Sequence, residues 1–211
     1  MERLMICKPQ EIEGKSFEII EEELKRMGIT IPEDEKLVTK RVIHTTADFD
    51  YTKTLVYSEN AVKKAKELIL NGADIVTDTN MALAGINKKT LARFGGEAHC
   101  FMADEEVAKI AKERQITRAA VSMEFAAKLK KPLIFAVGNA PTALVKLYEM
   151  IKEKQFCPAF IIGVPVGFVN VEAAKELILT TDVPYIINRG RKGGSNVAAA
   201  ICNAILYQLS R

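Results

Sequence analysis

The sequence predicts an α/β fold: a single domain over residues 1–211 with a mostly parallel sheet, helices on both faces and extra helices at the N-terminus. Three observations predict it. From residue 54 onward, short β-branched runs alternate with amphipathic stretches, as in sheets whose strands are joined by crossover helices. Those runs are apolar along their whole length, as strands buried on both faces are. Ahead of residue 54 the spacing is helical only.

In KSFEIIEEELKRMG, residues 15–28, Phe17, Ile20 and Leu24 share one helical face and Gly28 is a stop signal. A second helix is expected after Pro32. Its acidic EDE start suits the positive end of a helix dipole, and it runs through Leu37, Val38, Arg41 and His44. TLVYS then reads as a strand, ENAVKKAKELILNG as a helix and ADIVTD as a strand. EAHCF is the next strand, followed by a helix from Asp104 and another after Ile116. PLIFAVG leads into a helix from Pro141, and PAFIIGVPVG into a helix from Val171. VPYIINRG leads into the closing helix SNVAAAICNAILYQL. KELILNGADIVTDT at 66 and KELILTTDVPYIIN at 175 share a helix–turn–strand reading. Two units solving one packing problem explain that echo without a duplication.

The composition narrows the function. The net charge is only +3, and 30 Lys and Arg are spread among 27 acids, which argues against a nucleic-acid surface. Cys7, Cys100, Cys157 and Cys202 are far apart and form no C-x-x-C, so neither a disulfide framework nor a zinc ribbon is expected. Free, mostly buried thiols fit a reducing cytoplasm. MERLMICKPQEIEG lacks the apolar core of a signal peptide. No run approaches the roughly 20 apolar residues of a membrane span.

Parallel sheets bind ligands beyond the carboxyl ends of their strands, so the residues after each strand are the candidates. They are Asp78-Thr79-Asn80-Met81, Gly138 to Thr142, Pro165 to Phe168, and Arg189 to Ser195. NRGRKGGSNVAAA, residues 188–200, carries the strongest signal. Paired glycines at a helix start free N–H groups for an anion, and Arg189, Arg191 and Lys192 add cations. The alternative is a solvated turn with Ser195 as N-cap. In GNAPTALVKL, Asn139 is a candidate cap and Pro141 suits the first helical turn. His44 is one of two histidines. It shares a face with Arg41, Lys40 and Asp48 if its helix persists. It reads as a structural or surface histidine, a metal ligand or a general acid. Histidine as a free side chain titrates near neutrality and suits the last role. Asp48 and Asp78 are the candidate carboxylate pair. Only His99-Cys100 offers other soft metal ligands, and no metal site is expected. P-loop, G-x-G-x-x-G, G-x-S-x-G and H-E-x-x-H motifs do not occur.

Ser16 in KSFEII, then RVIHTTAD, DIVTDTNMALAGI, ITRAAVSME, AVGNAPTALVKL, GVPVGFVNVEAAKE and NRGRKGGSNVAAAICNAIL are similar, in order and spacing, to one family. They resemble the precorrin-8X and cobalt-precorrin-8 methylmutases of corrin (vitamin B12) biosynthesis, over about residues 9 to 209. The resemblance implies a flavodoxin-like sheet, a homodimer with active sites at the subunit interface, and no separate cofactor. It implies a methyl shift from C-11 to C-12 of the macrocycle, giving hydrogenobyrinic acid or, with cobalt, cobyrinic acid. The compact, lysine-rich chain resembles the cobalt-using members more. By the same resemblance His44 is the catalytic general acid, and Thr45 beside it belongs to the substrate-binding set. A rearrangement within one molecule needs a proton and a held geometry, not a nucleophile or a redox group.

The tetrapyrrole's acetate and propionate groups would meet Arg118, Arg189, Arg191, Lys192 and amides near Gly193 and Gly194. Ser16, Asn139, Thr142 and Ser195 would add neutral hydrogen bonds, with Asp78 also in the binding set. Met81, Ala84 and Val166 would lie against the ring system. Two other readings stand beside this one. One is a non-catalytic tetrapyrrole carrier. The other is a nucleotide-binding oxidoreductase using GRKGGS, for which the dinucleotide fingerprint is missing.

Overall fold

The structure is a computed structural model that describes residue 8 and residues 11–210. Cys7 and most of the MERLMICKPQ opening lie outside the described residues. In chain order the elements are α1 (Ile12–Arg26), α2 (Glu33–Thr46), α3 (Tyr51–Thr54), β1 (Leu55–Tyr57), α4 (Ala61–Leu70) and β2 (Asp74–Thr77). Then come α5 (Asn80–Gly85), α6 (Lys88–Ala92), β3 (Ala98–His99), α7 (Glu105–Arg114), α8 (Arg118–Ala126) and β4 (Leu133–Val137). The chain closes with α9 (Pro141–Lys152), β5 (Phe160–Gly163), α10 (Val171–Leu179), β6 (Tyr185–Asn188) and α11 (Ser195–Ser210).

The sheet order is β1-β6-β5-β4-β2-β3. Every neighbouring pair is parallel except β1 against β6. Counted along the chain, the five parallel strands lie in the order 2-1-3-4-5, the flavodoxin-like order. Successive strand residues alternate between two cores. Ile134, Ala136, Phe160 and Ile162 pack with α2, α4 and α11 on one face. Phe135, Val137, Ile161 and Ile187 pack with α8, α9 and α10 on the other. Burial on both faces is why these strands carry no polar alternation.

Helix ends follow their sequence signals. Gly28 takes φ +67°, its N–H bonds Lys25 O, and the N–H of Ile29 bonds Leu24 O. That is a Schellman stop, with Leu24 and Ile29 in one apolar cluster. α2 carries three acids in its first turn and ends where Ala47 turns left-handed.

Four features depart from the sequence expectation. α5 and α6 fill a stretch for which periodicity predicts no element, although Thr79 and Asn87 cap them by accepting from the N–H groups of Ala82 and Thr90. A short α3 precedes β1, and β1 runs antiparallel. Asp48 lies beyond the end of α2, off the face of Lys40, Arg41 and His44. Among the described cysteines only Cys202 is buried; Cys100 is half-buried and Cys157 exposed. The two echoing segments pack on opposite faces of the sheet, α4 in one core and α10 in the other.

Candidate active site

Ligand crevices of such sheets open where neighbouring strands send their chains to opposite faces, here between β2 and β4. Asp78 follows β2 directly and is fully buried. Its carboxylate accepts the N–H groups of Gly138 (2.8 Å), Asn139 (2.8 Å) and Ala140 (2.6 Å). Burial raises its pKa, and the three N–H groups oppose that only in part. At Gly138 the chain passes close to the start of α11: a Cβ there would sit 2.7 Å from Ser195 Cα. The hydroxyls of Thr79 and Ser195 share a hydrogen bond at 2.8 Å. Loops after β2, β4 and β6 are thus tied at one point.

These contacts correct three expectations. Asp78 faces backbone amides, not solvent and not Asp48. Asn139 does not cap α9; Ala140 holds that position without a side-chain bond. Ser195 is not an N-cap, because the Gly194 carbonyl already accepts the first helical bond from Ala198 N–H.

The loop 189–194 after β6 is held from beneath. Lys175 on α10 is fully buried and its Nζ donates to Gly190 O (2.7 Å) and Lys192 O (2.9 Å). Asn188 Nδ2 also donates to Lys192 O (2.7 Å), and Thr54 donates to Asn188 Oδ1 (2.6 Å). Burial pulls the Lys175 pKa down to about 8, against a smaller opposing effect of Glu172. Gly193 has no room for a side chain, since its Cβ would lie 2.0 Å from Val164 O. The Gly194 N–H is taken by Val164 O (2.9 Å) and is not offered to a ligand. Sequence reasoning does not single out Lys175. The signal that could have found it is its position, on the same face as the buried Val171, Ala174 and Ile178.

The cations of this loop have partners. Lys192 Nζ reaches Asp48 and Asp50, both at 2.6 Å. Arg191 pairs with Glu172 (2.8 Å) and Arg189 with Glu176 (3.2 Å). Lys192 holds Asp48 below the ordinary carboxylate range, although partial burial works against it. A cleft of about 540 Å³ is lined by these cations with Asp50, Lys53 and Thr54.

His44 is exposed on the last turn of α2, and its ring stacks on Phe17 of α1 at 5.4 Å and 19°. Arg41 lies over the same Phe17 ring and pairs with Glu13 (2.6 Å). Lys40 pairs with Glu21 (2.9 Å), and Lys40 and Lys36 hold the Glu21 pKa down to about 2. The hydroxyls of Ser16 and Thr45 donate within their own helices, to Ile12 O and Arg41 O (both 2.9 Å). Phe17 also walls a larger cleft of about 740 Å³ with Arg41 and Tyr207. Tyr207 is twelve residues past Ser195 along α11, about 18 Å of helix, so this cleft lies away from the strand-end loops. His44 borders it through Phe17.

Thr142 is exposed on the first turn of α9 and accepts from Thr117, the cap of α8 (2.8 Å). Arg118 follows, exposed and without an acidic partner among the described residues. Met81 and Phe168 are strongly exposed, with Val166 half-exposed. Among the described residues no group of three His, Cys, Asp or Glu could hold a metal. No helix there is long and apolar enough to cross a membrane.

A flavodoxin-like sheet with a polar, glycine-rich strand edge is an α/β architecture that holds small molecules beyond the carboxyl ends of its strands. Comparison with known proteins gives the family. The precorrin-8X methylmutase family model, CbiC, matches residues 11–208. A cobalt-precorrin-8 methylmutase of Salmonella typhimurium is 43% identical over 97% of each chain. One from Priestia megaterium is 42% identical over 95% of this chain and 88% of its own. A crystal structure of precorrin-8x methyl mutase from Thermus thermophilus superposes with a TM-score of 0.85 at 36% identity, covering 95% of this chain and 98% of the other. The chain belongs to the precorrin-8X methylmutase family and is an isomerase, a methylmutase of cobalamin biosynthesis.

Proposed function

We propose that this enzyme moves a methyl group from C-11 to C-12 of cobalt-precorrin-8, or of metal-free precorrin-8X, to give cobyrinic or hydrogenobyrinic acid, with His44 as general acid. The cobalt form is preferred, because the Salmonella and Priestia relatives carry that name. One observation carries the reading. Lys192 bridges to Asp48 and Asp50 and so joins the segment just after His44 to the glycine-rich loop after β6. Two stretches about 145 residues apart in the chain are joined by these pairs, which supports a reading in which a planar, many-armed acid draws a proton from one and anion contacts from the other.

The shift breaks the C-11–methyl bond and forms the C-12–methyl bond within one molecule, so the atoms balance without a co-reactant. A proton lent by His44 draws electron density from the ring system and eases the migration, and it returns to His44 once the C-12–methyl bond has formed, so that the product is an isomer of the substrate. Arg118, with no acidic partner to displace, is the first contact for a peripheral carboxylate. Arg189 and Lys192 take others by exchanging or sharing their present carboxylates. Ser16, Thr45, Asn139, Thr142 and Ser195 supply neutral contacts, and Met81 supports the ring. Gly193 belongs to the amide face of the loop, Gly194 to its attachment, and Asp78 acts by fixing the 138–140 turn. We read the whole chain as one cytoplasmic domain that needs no cofactor and pairs as a homodimer, its exposed Met81, Val166 and Phe168 bordering a site shared by two subunits.

The test follows the visible spectrum of cobalt-precorrin-8 mixed with the wild type and with His44→Ala. The expected result is conversion by the wild type, and binding without conversion by the variant. Equal conversion rates would remove His44 from the chemistry. Binding without conversion by both proteins would make the chain a tetrapyrrole carrier.

A further inference from the structure

Lys175 is a buried cation that the proposed reaction leaves without a role. No carboxylate among the described residues lies within ion-pair distance of it. An ammonium removed from water without a counter-charge is unfavourable, and charges kept at such a cost cluster at working sites. The surface cations of the same loop are different, because Arg189, Arg191 and Lys192 each face an acid.

What Lys175 holds is a run of backbone. The carbonyls of Gly190 and Lys192 accept from its Nζ, and the carbonyl between them, of Arg191, accepts from Gly167 N–H (3.2 Å). Three successive carbonyls are therefore each taken by a donor of the protein. In a planar trans peptide the N–H points opposite to the C=O. The N–H groups of Arg191, Lys192 and Gly193 therefore each point away from the donor that holds the carbonyl of the same peptide unit. Gly190 at φ +73° and Gly193 at φ +156° allow this path. Outward amides with a buried cation behind them make an anion-binding concavity.

We propose that Lys175 is a positioning residue for this site: from beneath the loop, its ammonium sets Gly190 to Lys192 so that the amides of Arg191, Lys192 and Gly193 receive one carboxylate of the anionic macrocycle. The proposal rests on the methylmutase reading. Lys175 itself does not touch the substrate.

The experiment measures KM and kcat for cobalt-precorrin-8 with the wild type, Lys175→Met and Lys175→Gln, together with hydrogen exchange of all three proteins. Glutamine keeps an amide donor for one carbonyl, in case methionine does not fold. The expected result is a KM raised on the order of ten- to a hundred-fold with kcat little changed, the pattern of lost uniform binding. Faster exchange should be confined to residues 188–195. An unchanged KM in a folded variant, a loss of protection spread over the whole sheet, or failure of both variants to fold would each overturn the proposal. If the wild type does not convert the substrate, yet its loop keeps protection that the variants lose, the methylmutase reading falls while the lysine's hold on the loop stands.

Discussion

Two loops at the carboxyl edge of the sheet are held by buried charges of opposite sign. The loop after β4 closes on the Asp78 carboxylate, which gathers three N–H groups. The loop after β6 closes on the Lys175 ammonium, which gathers two carbonyls. Chain geometry makes the outer faces opposite as well. Amides drawn inward leave carbonyls outward, and carbonyls drawn inward leave amides outward. The first loop is a structural joint. The second is suited to an anion. A charge hidden under a loop can thus choose what the loop shows to a ligand without touching it.

The strongest way to break this comparison is Asp78→Leu. It leaves three backbone N–H groups without an acceptor, and each such loss costs about 1–3 kcal/mol. The expected destabilisation is about 3–5 kcal/mol in urea unfolding, and a loss under about 1 kcal/mol would show that the joint is not there. A smaller effect separates Lys175 by pH. Its folded pKa of about 8 lies below the ordinary lysine value because of burial. Between about 8 and 10.4 the unfolded chain then holds more protons than the folded one, so stability rises with pH across that window. Wild type should gain up to about 3 kcal/mol relative to Lys175→Met between about pH 7.5 and about pH 10.5, while its substrate affinity falls as the ammonium is lost. A flat difference would mean that Lys175 does not titrate there. The smallest effect is expected from Lys192→Met. The Lys192 pairs with Asp48 and Asp50 are half-exposed, so unfolding curves should not change measurably, while weaker substrate binding would keep the lysine in the site.

Periodicity and stop signals make most of the architecture legible in the amino-acid sequence, because buried parallel strands and amphipathic helices are local patterns. The antiparallel direction of β1 is not legible, since nothing in TLVYS states which neighbour it will meet. Loops that carry the site are legible as strand ends, but their wiring is not. Asp78 and Ser195 are visible as polar residues in the right places, yet their partners lie about 60 and 116 residues away. Arg189, Arg191 and Lys192 stand out as cations, and the acids that match them sit on α10 and just after α2. Lys175 looks like an ordinary helix lysine until its face is known.

The sheet begins and ends on its two shortest strands, β1 with three residues and β3 with two. An edge that short offers too few free backbone groups for another chain to add itself as a further strand. The longer strands β2, β4, β5 and β6, of which β4 and β5 are apolar throughout, would be hazardous at a margin, and all four are interior. The strand order therefore also keeps the folded chain from seeding aggregates through its own sheet.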